Sequence, residues 1–190
     1  MSPSEKLVEL SQLIVADQAC SGLAEQATQL VMGSGNIEAD IVFVGEAPGK
    51  KEDELGVPFV GSAGKFLDKM LESAGMARGD VYITNIVKYR PPNNRDPSKS
   101  EKAAFLPYLL REIEIIQPKV IITLGRHSME YFLPGAIIGD VHGQIQQVVV
   151  QGKQFTIAPL YHPAAALYNG SLRQTLFDDF TAVAAAINQL

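Results

Sequence analysis

Ile41-Val42-Phe43-Val44-Gly45 is an apolar run that stops on a glycine, and Glu46-Ala47-Pro48-Gly49 follows it without a break. A short β-branched and aromatic stretch with no polar alternation reads as a strand buried on both faces, feeding a loop at its carboxyl end. The pattern recurs downstream. Ser62 to Ala74 carries Phe66, Leu67, Met70 and Leu71 at helical spacing, and Val81 to Val87 is a second strand. A long helix is predicted from about Ser98 to Ile116. Lys119 to Leu124 is then a third strand, closed by Gly125 and followed by a short helix through Phe132. Strands that alternate with helices in this way predict an α/β fold in which a parallel sheet is covered on both faces.

The flanking segments complete that frame. Ser4 to about Ala24 spaces Leu7, Leu10, Leu13, Ile14 and Leu23 as one amphipathic helix with Ser4 as its cap, an N-terminal helical segment within residues 1–30. Ile145–Val150 and Gln154–Ala158, joined by Gln151-Gly152-Lys153, predict a hairpin, and Leu172 to Leu190 a terminal helix. No repeat or linker interrupts residues 1–190, so a single domain is expected.

Composition narrows the function classes. With 190 residues, 46% apolar and 19% charged, the chain can bury a core without metals or cross-links. No apolar run approaches the length of a membrane span, and Met1-Ser2-Pro3-Ser4-Glu5-Lys6 lacks a secretory pattern, so a cytoplasmic location with no membrane partner is expected. Cys20 is the only cysteine, which excludes an internal disulfide and any site built on several thiolates. A net charge of -5 argues against a protein that coats nucleic acid. Between Ile86 and Ser100, however, Lys88, Arg90, Arg95 and Lys99 face Asp96 alone, enough for one basic face.

In open parallel sheets ligands sit at the carboxyl ends of the strands. Gly45–Asp53, Asn85–Pro97, Gly125–Ser128 and Tyr161–Asn169 all follow strands and are expected to surround one cleft. The Gly45–Gly49 turn lacks the Gly-Lys-Ser/Thr ending of a phosphate loop and the spacing of a dinucleotide fingerprint, which disfavours a nucleoside triphosphatase. By itself it is a ligand loop with Glu46, Glu52 and Asp53 nearby.

Taken together, Gly45-Glu46-Ala47-Pro48-Gly49-Lys50-Lys51-Glu52-Asp53, Pro58-Phe59-Val60-Gly61-Ser62-Ala63-Gly64, Thr84-Asn85-Ile86-Val87-Lys88, Arg90-Pro91-Pro92-Asn93-Asn94-Arg95-Asp96-Pro97 and His162-Pro163-Ala164-Ala165 are in the order of the motifs of uracil-DNA glycosylases. The chain resembles that superfamily from about Val31 onward, and its family-four branch most closely. The fold implied is a three-layer α/β/α sandwich with a central, mainly parallel four-stranded sheet. The reaction implied is hydrolysis of the bond between uracil and deoxyribose in DNA, after the nucleotide has left the stack, leaving an abasic site.

The resemblance also assigns roles. Gly45, Glu46, Ala47, Phe59, Asn85 and His162 would form the uracil pocket. Phe59 would stack on the base, Asn85 would read its edge, and His162 would donate to the O2 of the departing anion. Without the resemblance, Phe59 would pass for core and Asn85 for a residue satisfying strand-end backbone. Glu46, Glu52 and His162 are the catalytic candidates, the two acids serving to stabilise a cationic sugar, position water, or both. Ala47 stands where another branch carries a water-activating Asp. Gly49 stands where that branch has a Tyr against the thymine methyl, and Glu52 is the leading candidate to fill that space. Lys88, Arg90, Arg95, Arg126 and Arg173 are candidates for phosphate contacts. Leu167 and Tyr168 either enter the vacated base step or pack on the last helix. His127, near a helix start, and His142, in a Gly-flanked turn, read as ordinary residues outside the pocket.

The resemblance breaks at the metal. The family-four branch holds an iron–sulfur cluster on four cysteines, whereas Tyr89 and Phe105 stand at two of those positions here, and Gln18 and Ser21 fall near the other pair. No cluster and no other metal or cofactor is expected, with the cavity filled by apolar packing in its place. The His-containing insertion of the branch that attaches covalently to DNA is also missing. The expected protein is a monomeric, monofunctional glycosylase acting on DNA that contains uracil or another deaminated base. A catalytically weak or inactive DNA- or base-binding member is the alternative, and a hydrolase of free nucleosides a third reading.

Overall fold

A computed structural model describes residues 1–187. Six strands form one sheet: β1 (Ser34–Gly35), β2 (Ile41–Gly45), β3 (Tyr82–Asn85), β4 (Val120–Leu124), β5 (Gln146–Val150) and β6 (Lys153–Leu160), in the order β1-β3-β2-β4-β6-β5. The four central strands are parallel, as expected. The sheet is six strands wide because β1 and β5 add antiparallel edges. The two-residue β1 offers too little periodicity to be read from sequence, and β5 is the outer arm of the predicted hairpin, turning at Gln151 and Gly152, both at positive φ.

Helices cover both faces: α1 (Pro3–Ala16), α2 (Ser21–Ala24), α3 (Lys50–Leu55), α4 (Ser62–Ser73), α5 (Lys99–Ile116), α6 (Arg126–Phe132), α7 (Ile138–Val141), α8 (Pro163–Tyr168) and α9 (Gly170–Ile187). Alternate residues of β2 divide between two cores. Ile41 and Phe43 pack with Phe66, Leu67, Leu176 and Phe180 of α4 and α9, while Val42 and Val44 pack with Leu10, Ile14, Phe105 and Leu109 of α1 and α5. A strand buried on both faces has no polar position to alternate, which is why 41–44 is continuously apolar. Among the described residues no helix is long and apolar enough to cross a membrane.

Three local expectations change. The N-terminal helix is capped by Ser2, not Ser4, with Glu5 closing a capping box and Pro3 in the first turn. It is also two helices, because Gln18 and Cys20 adopt left-handed φ of 52° and 53° between α1 and α2. Lys50–Leu55, expected to be loop, is a helical turn, so Glu52 and Asp53 lie on α3. The part of the predicted terminal helix at 188–190 lies outside the described residues.

Candidate active site

Strand register sets the pocket. Gly45 pairs with Asn85 at the carboxyl ends of β2 and β3, and the loops that follow surround a cavity of about 630 Å³. Glu46, Glu52, Phe59, Asn85 and His162 all line it. Asn85 is buried, and its side-chain Oδ1 has no hydrogen-bond partner among the described residues. Thr123 Oγ1 is also buried and unpartnered but does not line the cavity. An orphaned acceptor is costly unless a ligand donates to it, so Asn85 Oδ1 marks where a donor belongs. Gly45 makes room for it: a Cβ there would stand 2.5 Å from both Asn85 Oδ1 and the Phe59 ring.

Phe59 is buried with φ of 54°, a left-handed conformation that costs a non-glycine residue about 1–3 kcal/mol. Arg78 supplies the restraint. Its guanidinium donates to the carbonyls of Pro58 (3.2 Å), Phe59 (2.6 Å) and Gly64 (3.3 Å), and its Nε to Asp68 at 2.8 Å. The Phe59 ring stacks against His162 with centroids 5.8 Å apart and planes at 29°, so the two form one wall.

His162 begins α8, where its Nδ1 accepts from the Ala164 N–H at 3.0 Å. That bond fixes the neutral tautomer with the proton on Nε2, a donor. Burial, helped by His127, pulls its pKa down to about 4, so the ring is neutral at physiological pH.

The two acids differ. Glu52 Oε1 accepts from the backbone N–H of Val60 (3.0 Å) and Gly61 (2.9 Å), fastening α3 to the Phe59 loop. Its Oε2 would lie 2.8 Å from a Cβ at Gly49, so Glu52 occupies the space beside that glycine. Burial pushes the Glu46 carboxyl above its ordinary value, partly offset by His127. Neighbouring Asp53 is structural: it is buried and accepts from the backbone and hydroxyl of Thr28. Ala47 lines the pocket wall and carries no chemistry of its own.

Among the candidates for DNA contact, Lys88 is corrected. It is fully buried, its Nζ 2.5 Å from Glu112 Oε2, and it also donates to Thr84 Oγ1 and to the Asn85 carbonyl. Glu112 in turn accepts from Tyr82 and from the Gly33 N–H. Burial pulls the Lys88 ammonium down while Glu112 opposes it. Lys88 therefore braces Asn85 from beneath and cannot reach a phosphate. Arg95 lines the cavity rim and pairs with Glu101 at 2.6 Å. Arg126 is exposed, 3.6 Å from Asp96, while Arg90 bonds Asn94 and Arg173 lies over the Phe66 ring. Leu167 and Tyr168 also line the cavity, 42% and 91% exposed, so they project to solvent instead of packing inward.

Arg78 and Glu112 had no sequence signal, since each acts across a long separation and belongs to no contiguous motif, whereas His127 lies in Gly125–Ser128, a segment expected at the cleft, but reads there as an ordinary residue. His142 is structural, 2.7 Å from Asp179.

The residues behind the pocket do not fit a four-thiolate cluster. Tyr89 and Phe105 are buried and pack edge to face at 6.0 Å, with Tyr108 6.3 Å from Phe105. Cys20 is half-buried, and burial pushes its thiol above the ordinary value, away from the thiolate a metal needs.

Comparison with known proteins agrees with this geometry. The model of the uracil DNA glycosylase superfamily matches residues 32–186. A type-4 uracil-DNA glycosylase of Saccharolobus solfataricus is 49% identical over 164 residues, 83% of this chain and 76% of that protein. Those of Sulfurisphaera tokodaii and Archaeoglobus fulgidus are 46% and 45% identical, each over 93% of this chain and over 82% and 90% of their own lengths. A match over so much of both lengths means that the chain belongs to the uracil-DNA glycosylase superfamily.

Proposed function

We propose that this pocket excises uracil from DNA with no iron–sulfur cluster behind it. The observation that carries the reading is the buried, unpartnered Asn85 Oδ1 at the end of a cavity walled by Phe59 and His162. Uracil has an N3–H to donate there and carbonyl oxygens for the amide and imidazole N–H groups. Cytosine presents a bare ring nitrogen to the same acceptor. A flipped uracil stacks on Phe59, and the His162 Nε2–H donates to O2, stabilising the charge that develops as the glycosidic bond breaks. A neutral imidazole held by the Ala164 N–H does this without reorganising.

Glu46, with no backbone bond on its carboxylate among the described residues, is the group for the cationic sugar and the attacking water. Glu52, fixed by two backbone donors, forms the wall beside Gly49 that a 5-methyl group would strike. No lysine lines the pocket among the described residues, which supports hydrolysis without strand cleavage. Leu167 and Tyr168 enter the vacated base step, and Arg95, Arg126 and Arg173 meet phosphates. The chain acts as a cytoplasmic monomer, with the Tyr89–Phe105 contact joining loop and helix where the branch uses metal.

The test is a set of oligonucleotides bearing a single U, T, hypoxanthine or xanthine, treated with alkali after incubation. Breaks at U that vanish in Asn85→Ala and His162→Ala support the reading. No break on any substrate overturns it in favour of a base-binding protein without turnover.

A further inference from the structure

His127 is the second residue of α6 and belongs to none of the motifs that carry the family resemblance. Its Nε2 lies 3.2 Å from Asp96 Oδ2 and 3.8 Å from Glu46 Oε2. One imidazole nitrogen therefore faces both a pocket carboxylate and one on the loop that leads into α5, Asp96 being the nearer. Its side chain is 18% exposed, against 26% for Glu46 and 63% for Asp96, so the inner contact is the more sheltered. We propose that His127 is a positioning residue for uracil excision: anchored by Asp96, its imidazole holds the Glu46 carboxylate at the pocket. The inference rests on the reading of Glu46 as the group that serves the sugar and the water.

The surroundings support the direction of these contacts. Arg126 Nε lies 3.3 Å from the same His127 nitrogen. It can donate there only if that nitrogen is bare, whereas two carboxylate oxygens within 4 Å call for an N–H. The Arg126 side chain is 73% exposed and has Asp96 as its own partner, so it is free to turn away. The charged groups facing Glu46 are His127 and Arg126 from α6, Asp96 and Arg95 from the loop before α5, and Lys102 from α5, while Glu52 and His162 share its cavity. Burial raises the Glu46 carboxyl most. His127 is the largest opposing influence, Asp96 adds to the rise, and Arg126 and Lys102 oppose it weakly. Loss of His127 therefore raises the pH at which Glu46 ionises, and loss of the Asp96 charge lowers it.

The test is single-turnover excision from a uracil-containing oligonucleotide as a function of pH, in wild type, His127→Ala, His127→Gln, Asp96→Asn, Glu46→Gln and the His127→Ala/Glu46→Gln double variant. His127→Ala is expected to lower the rate about 10- to 100-fold, the scale of an ångström-sized misplacement, with the half-saturating enzyme concentration little changed. Its acid limb moves to higher pH, and that of Asp96→Asn moves to lower pH. His127→Gln, which keeps a side-chain N–H donor, recovers rate on the alkaline side without restoring the limb. In the Glu46→Gln background His127→Ala costs nothing further. An acid limb of His127→Ala that coincides with wild type, or losses that multiply in the double variant, overturns the role of His127. A Glu46→Gln variant with wild-type rate overturns the underlying reading of Glu46 instead.

Discussion

On the proposed reading Asn85 carries selectivity, because its acceptor is buried and, among the described residues, unsatisfied before any base arrives. Replacing it by alanine removes both the acceptor and the amide donor. Excision of uracil is then expected to fall about 10²-fold or more, read as the initial rate on a uracil oligonucleotide. Gly45→Ala should be nearly as damaging, since the new Cβ would meet Asn85 Oδ1 and the Phe59 ring at 2.5 Å. His162 leads to a prediction about pH. Its pKa of about 4 means the ring stays neutral through the range where a free imidazole titrates, so the rate profile should show no inflection near 6.5 that is lost in His162→Ala. Stability follows the same sign. The unfolded chain takes up the proton at higher pH than the folded one, so this contribution is complete above about 6.5 and is lost as pH falls toward about 4. A urea titration at stepped pH, compared with His162→Ala, checks it. Glu46, Phe59, Asn85 and His162 were legible as residues of one cavity because each sits inside a contiguous motif. His127, 81 positions from Glu46 in a helix of ordinary composition, was not. Lys88 was misread because its burial depends on Glu112, 24 residues away.

At the scale of elements, the pocket depends on two braces. Arg78, in the turn before β3, fixes the Phe59 loop through three carbonyls. Arg78→Ala should weaken inhibition by free uracil and lower excision about 10²-fold through misplacement of the stacking ring. Arg78→Lys should fail to restore it, because an ammonium cannot reproduce the planar fork. The second brace is the buried Lys88–Glu112 pair between β3 and α5. Glu112→Leu strands an ammonium in the core and should cost about 3–5 kcal/mol in a denaturant titration. The alternation of strand and helix was readable from hydrophobic period alone. The break at Gln18–Cys20, the cap at Ser2 and the short α3 were not, because backbone conformation and hydrogen bonding, not the apolar pattern, set those boundaries.

For the whole molecule, an acidic chain must bind a polyanion through the few cations near its cavity. Lys88 is buried, Arg95 is paired with Glu101, and Arg126 lies near Asp96. The salt dependence of duplex binding should therefore be shallow, with a log–log slope of about -2 to -3 for two or three phosphate contacts. Tyr168→Ala and Leu167→Ala should reduce activity on duplex more than on single strands, since only the duplex needs its vacated step filled. The missing cysteines were plain in the sequence, but the edge-to-face packing of Tyr89 on Phe105 required the fold. The most direct test of uracil excision without a cluster is to measure iron and uracil excision on the same purified sample. Alkali-sensitive breaks at U and not at T, with iron far below one atom per chain and activity indifferent to chelator, are the predicted result. Excision that rises and falls with bound iron, or no excision at all, would contradict it.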